Sequence, residues 1–272
     1  MKGGYKITPG GLGFTIVEVM IFLAVSGIMF LVAANFISGK EAQAEYIQGM
    51  NYTAADIRTI INNVANGSYA VPSGGLNCTV DTSGVNVTKS RSSSSIGIPG
   101  CSLIGQAMVP GLGGNSYGLY TFAGCQFANC SSGITGLAYP TNFAQEEPTV
   151  VSFMTKPNIG WPGGLILKKM LYVKPGSAIS PIVINNAIGF MGSLPSINNQ
   201  VLLSGSQPTT LVLLNRSALT SSFSVIKGSV LLCFMGSSTN LVGSIAIGSV
   251  NGGGQLTTTL NMGQGGYKKL GC

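Results

Sequence analysis

The stretch GFTIVEVMIFLAVSGIMFLVAANF, Gly13 to Phe36, sets the architecture of this chain and contains one discordant residue. The apolar block runs from Phe14 to Ile37, and 14 of its residues are Leu, Ile, Val or Phe. As a helix it would be about 36 Å long, enough to cross the hydrocarbon core of a bilayer. Glu18 carries a carboxylate into it. A charge at mid-helix costs about 2.5–3.5 kcal/mol on insertion scales. The apolar residues gain about 0.3–0.6 kcal/mol each, so together they outweigh it and the segment is expected to insert.

The flanks give the direction. Lys2 and Lys6 precede the block, and Lys40 beyond it is offset by Glu41 and Glu45. The positive side stays in the cytoplasm, which sends the rest of the chain outside. A cleaved signal peptide has a shorter apolar core and a small-residue site after it. Here the small residue, Gly13, comes before the core.

Composition narrows the function classes. Of 272 residues, 45% are hydrophobic and only 8% charged, about a third of the usual share. Glycine occurs 40 times, roughly twice its usual frequency. This balance suits a β-rich exported protein better than a cytosolic enzyme. The chain has no histidine, which removes Ser-His-Asp and Cys-His catalysis and imidazole-ligated zinc. Glu146 and Glu147 are adjacent, so in a strand they would face opposite ways and make a poor carboxylate pair. No phosphate-binding or dinucleotide-binding glycine motif is present. The expectation is a non-enzyme with no cofactor and no metal. The net charge of +7 is spread over small clusters: Lys168-Lys169 with Lys174, Lys268-Lys269, and Lys89 with Arg91. That gives at most a weak preference for anions such as nucleic acid or a cell surface.

The residues Gly13-Phe14-Thr15-Ile16-Val17-Glu18-Val19-Met20 resemble the prepilin cleavage and methylation motif of type IV pilins and their relatives. The resemblance covers roughly the first 50 residues and is specific at the motif. It implies a leader, residues 1–13, cleaved after Gly13 by a prepilin peptidase, and N-methylation of the new terminus Phe14. It implies that Glu18 neutralises the terminal amine of a neighbouring subunit during filament assembly. Implied partners are other pilin subunits, the peptidase and an inner-membrane assembly platform. Two positions depart from the pattern: Leu12 precedes the cleavage glycine, and Asn35 stands where many pilins carry proline. The alternative is a signal anchor with a glutamate near its interfacial end.

Beyond Ile37 the periodicity of Ile47, Met50, Ala54, Ile57, Ile61 and Val64 predicts an amphipathic continuation, ended by Asn66-Gly67. One helix is thus expected over residues 14–66, about 80 Å long, with 14–37 as the membrane or filament-core part. A coiled-coil seam is a weaker reading, since fewer than four heptads are available. Residues 67–272 are expected to form an exported head. From Ser68 to about Ala144 the chain reads as loop, with turn signals at Pro72-Ser73-Gly74-Gly75 and Pro110-Gly111-Leu112-Gly113-Gly114 and a flexible polar tract at Ser90–Ser95. From Thr149 onward, strands are predicted at 149–155, 165–173, 179–185, 200–204, 209–214, 223–226, 229–235, 240–248 and 256–262. Trp161 is expected to be a packing anchor. The fold class is α+β, a long helix on an antiparallel β-rich head.

Six cysteines, Cys78, Cys101, Cys125, Cys130, Cys233 and Cys272, all follow the apolar block. In an exported domain an even number points to disulfides, with 15 pairings open. Cys125 and Cys130 are close enough in sequence for a small loop. Cys233 with Cys272 would tie down the C-terminus, as the C-terminal disulfide loop of many pilins does. The function expected on these grounds is a filament subunit. The alternative is a minor or tip pilin whose head binds DNA or a host surface.

Overall fold

The computed structural model describes residues 15–67, 76–81, 84–89, 101–125, 148–174, 179–183, 185–192, 209–249, 256–262 and 272. The chain divides into two compact units, Met1–Ala44 and Glu45–Cys272. One helix, α1 (Ile16–Ala65), contributes to both.

From Ile16 to Asn35, within the first unit, α1 carries apolar side chains all round, with Glu18 the one charge among them. Within the second it becomes amphipathic, burying Tyr46, Met50, Thr53, Ala54, Ile57, Ile60, Ile61, Val64 and Ala65. These recur at helical spacing and make one stripe. The predicted stripe holds at five of its six positions. Ile47 is 38% exposed, and its neighbour Tyr46, 3% exposed, takes the inward place. The helix ends as the Asn66-Gly67 signal requires. Gly67 adopts φ +61°, and its N–H donates to the Val64 carbonyl at 3.1 Å.

The head is antiparallel throughout its described strands. They are β1 (Leu76–Asp81), β2 (Gly84–Lys89), β3 (Cys101–Pro110), β4 (Ser116–Cys125), β5 (Thr149–Val150), β6 (Lys156–Gly160), β7 (Leu165–Val173), β8 (Ile179–Ile182), β9 (Asn186–Met191), β10 (Thr210–Asn215), β11 (Ala218–Val225), β12 (Ser229–Gly236), β13 (Val242–Ser249) and β14 (Leu256–Met262). β1 and β2 form a hairpin. A seven-stranded sheet runs β11-β10-β9-β3-β4-β5, with β6 also paired to β4. A five-stranded sheet runs β14-β13-β12-β7-β8.

The first four strands correct the expectation that residues 68–144 are loop. The predicted turn at 110–114 survives as the connection between β3 and β4. The strands on either side were hidden by glycines that the packing demands. A Cβ on Gly105 would lie 2.5 Å from the Phe190 carbonyl oxygen and 3.0 Å from the Met191 Cα of neighbouring β9. The predicted strand 149–155 is also corrected: it is two residues of β5, then a 3-10 turn at Ser152–Met154. The strands predicted at 165–173 and 256–262 match β7 and β14. The stretches 72–75, 90–95, 146–147 and 200–204 lie outside the described residues.

Both sheets contribute to one core against the second part of α1. The seven-stranded sheet supplies Met108, Tyr117, Ile188, Phe190 and Leu211, and the five-stranded sheet Leu165, Leu167, Met170, Val230, Leu232, Phe234, Ile245 and Ile247. Leu165 and Leu167 are two residues apart but Met170 is three further on, which breaks strand alternation. A bulge explains it: Cys233 pairs with Lys169 and Phe234 with Leu167, leaving Lys168 as the extra residue. That irregularity also separates the predicted Lys168-Lys169 cluster, with Lys168 exposed and Lys169 half-buried.

Trp161 links the sheets as an anchor. It is 5% exposed, with ring centroids 4.3 Å from Tyr117 and 5.0 Å from Phe234. Here α1 comes very close to the Trp161–Gly164 turn. A Cβ on Gly49 would lie 2.5 Å from the Pro162 carbonyl oxygen, and Gly163 has φ +62°. Arg58 donates from Nη2 to the Thr258 carbonyl at 3.1 Å and from Nε to the Thr258 hydroxyl, tying α1 to β14.

Cys233 is bonded to Cys272 with Cα atoms 5.7 Å apart, across 39 residues. The bridge lies against Leu171 and Leu231, on the face of the five-stranded sheet opposite the helix-facing core. Cys125 is also disulfide-bonded. The backbone register of β3 and β4 sets it opposite Cys101. Cys130 lies outside the described residues.

Candidate functional site

The first part of α1 is one candidate site. Every residue from Thr15 to Asn35 is exposed. Ile16, Phe22 and Phe30 are 80%, 71% and 74% accessible. Mean hydropathy over the richest 18 residues is 2.6, so α1 is long and apolar enough to span a membrane near the N-terminus. Ser26 is not a polar break in this surface, because its hydroxyl donates to the Leu23 carbonyl at 3.1 Å. Around Gly27 nothing approaches the Cβ position within 4 Å, so the helix surface there is open.

Glu18 occupies the first turn of α1 and is exposed. Its backbone N–H donates to the Thr15 hydroxyl at 3.2 Å, and the Glu18 and Val19 N–H groups reach the Thr15 carbonyl at 3.0 and 3.2 Å. Thr15 is therefore the N-cap, and Thr15-Ile16-Val17-Glu18 has the spacing of a capping box, a local motif the sequence reasoning missed. The signal was available, since threonine followed three residues later by glutamate opens an apolar run. A carboxylate in the first turn also complements the helix dipole, by about 0.3–1 kcal/mol. Glu18 thus has a reason to be there within its own chain. Gly13 and Phe14 lie outside the described residues.

The head offers a second feature. A cavity of about 340 Å³ opens between α1 and strands β3, β4 and β6. Asp56, Thr59, Ile60 and Asn63 line it from the helix, and Gln106, Tyr117, Thr121, Phe153, Thr155 and Lys156 from the sheet side. Asp56 is exposed as a residue, yet partial desolvation at the cavity wall pushes its carboxyl above its ordinary range. Burial, followed by the negative charge of Asp56, raises the Tyr117 phenol to about 12. Gln106 is 7% exposed; its Nε2 donates to the Thr121 hydroxyl at 3.1 Å, while its Oε1 has no partner.

Among the described residues no cluster of three His, Cys, Asp or Glu side chains forms. Comparison of the chain with family models, curated proteins and solved structures finds no match.

Proposed function

We propose that this chain is a structural subunit of a type IV pilin-like filament. It is cleaved after Gly13, N-methylated at Phe14 and assembled through the first part of α1. Before assembly it is a single-pass membrane protein with its N-terminus in the cytoplasm and its head outside. After assembly it belongs to an extracellular filament.

The observation that carries this reading is the pairing of opposites in one helix. A stretch of α1 exposed and apolar on every side is joined to a stretch that completes the core of a disulfide-bonded β head. The first stretch needs a partner the chain does not itself supply. Lipid satisfies it in the membrane, and stems of other subunits satisfy it in a filament. Glu18 gives such a bundle polarity. A positive amine at Phe14 in a dry bundle requires a counter-charge, and Glu18 of the next stem supplies one. A plain signal anchor explains the apolar surface but makes no use of the Gly13-Phe14 junction.

Mass spectrometry of sheared surface filaments tests the proposal. The expected result is this protein with Phe14, methylated, as its first residue. A chain beginning at Met1 in that fraction, or its restriction to the membrane, would overturn it.

A further inference from the structure

We propose that the cavity between α1 and strands β3, β4 and β6 is a binding site for a neutral saccharide. It lies wholly within the head unit, and the inference does not depend on polymerisation.

Four observations lead to this class of ligand. The first is size: about 340 Å³ falls at the lower end of ligand-pocket volumes, enough for a sugar ring and too small for a peptide or a nucleic-acid strand. The second is the density of flat, two-atom polar groups. The carboxylate of Asp56 and the amides of Asn63 and Gln106 line one small space. Such groups meet neighbouring ring hydroxyls, each of which both donates and accepts.

The third is an unmet acceptor. Gln106 Oε1 lacks a partner although its residue is 7% exposed, and a buried acceptor left unpaired costs about 1–3 kcal/mol. Gln106 lines the cavity with Oε1 turned out of reach of solvent, so a rotation of its amide that presents the oxygen to an entering hydroxyl donor relieves that cost. Exchanging the amide's oxygen and nitrogen would leave the same need, because one of the two atoms would still be unpaired.

The fourth is charge. The lining carries one carboxylate, Asp56, and one ammonium, Lys156, in a chain whose net charge is +7. A phosphate or nucleic-acid site would concentrate cations, and this one balances them. Phe153, 36% exposed, adds aromatic surface against which the C–H face of a sugar can lie.

The test is saturation-transfer NMR on the full-length chain in a zwitterionic detergent, which avoids sugar-headed detergents. The probes are the methyl glycosides of glucose, galactose, mannose and N-acetylglucosamine, at millimolar concentration, with inorganic phosphate as a separate probe. At least one glycoside should receive saturation on its ring protons. Asp56→Ala and Asn63→Ala, which alter exposed or half-exposed helix positions, should each weaken that binding about tenfold or more. Lys174→Ala, an exposed position that is not part of the lining, should leave it unchanged. Melting temperatures equal to the parent protein's would show that the variants fold. No transfer to any glycoside would overturn the proposal. So would binding that survives both cavity variants, or a phosphate response that Asp56→Ala strengthens.

Discussion

Between Ile16 and Asn35 every residue of α1 is exposed, whereas between Tyr46 and Ala65 the helix buries a continuous stripe against two sheets. Both stretches are rich in apolar residues, and their arrangement differs. In the second, Gln48, Asn51, Asp56 and Arg58 fill the outer positions, so water and core each receive a suitable face. In the first, Ile16, Val17, Ile21, Phe22 and Phe30 fall all round the helix, and no single surface of the head could cover them. The difference teaches that the second stretch is stabilised by this chain and the first by its surroundings. Mutations in the two should therefore be read out by different measurements.

Removing the Cys233–Cys272 bond should have the greatest effect, and only on the head. It closes 39 residues, for which the chain-entropy model gives about 4 kcal/mol. Denaturation of a Cys233→Ala, Cys272→Ala variant should show a loss of that order, with the apolar helix still protected from protease in membranes. A loss of membrane protection as well would join what the comparison separates. In the parent protein, alkylation under non-reducing, denaturing conditions should label none of the six cysteines. Labelling of two or more would contradict an oxidised head.

Ile57→Ala against Ile28→Ala tests the comparison directly. Ile57 is 0% exposed within the core and Ile28 is 64% exposed. Head stability should fall by about 2–5 kcal/mol for the first and stay within about 0.5 kcal/mol for the second. Equal losses would mean that the first stretch also leans on the head.

The sequence exposed these two stretches because helix periodicity survives local noise. Apolar residues three and four apart keep marking one face even when Tyr46 replaces Ile47 in it. Strand alternation is more fragile. In β9, Asn186–Met191, Gly189 reads as a break in the pattern. It is there for space, since a Cβ would lie 2.5 Å from the side chains of both Val212 and Leu214 on β10. In β3, Gly105 plays the same part. A glycine demanded by a neighbour across the sheet looks, in one dimension, like a glycine demanded by a turn. The 340 Å³ cavity was illegible for a related reason. Asp56, Gln106 and Lys156 come from α1, β3 and β6, and only the tertiary packing of those elements gathers them. Glu18 stood out in the sequence as a discordant charge, while its place three residues after the capping Thr15 was there to be read and was missed.

A smaller effect belongs to the head alone. Tyr117 has its phenol raised from 10.0 to about 12, first by burial and then by the charge of Asp56. Its ionisation is therefore disfavoured in the fold relative to the unfolded chain. The stability it contributes is complete below pH 10 and declines as pH rises toward 12. By pH 11 the loss is on the order of 1 kcal/mol. Comparing unfolding of the parent and Tyr117→Phe between pH 9 and 11 isolates this term, because other groups titrate in both. Parallel curves would show that the phenol is solvated.

The smallest expected change in stability comes at Glu18, although the consequence for assembly is large. Two explanations of this residue give different orders for its variants. If Glu18 serves only the capping box with Thr15, glutamine preserves the hydrogen-bonding group and alanine removes it. Glu18→Gln would then resemble the parent, and Glu18→Ala would lose about 0.5–1 kcal/mol of local helix stability. If Glu18 neutralises the terminal amine of a neighbouring subunit, charge is the essential property. Both variants should then insert and be cleaved normally yet fail together at assembly, since an unpaired buried charge costs about 3–5 kcal/mol. The measurement compares cleaved protein in membranes with protein in sheared filaments for both variants. Joint failure of glutamine and alanine supports subunit pairing. Filaments at the parent level with Glu18→Gln would reduce Glu18 to a helix cap and remove the electrostatic step from the proposed assembly.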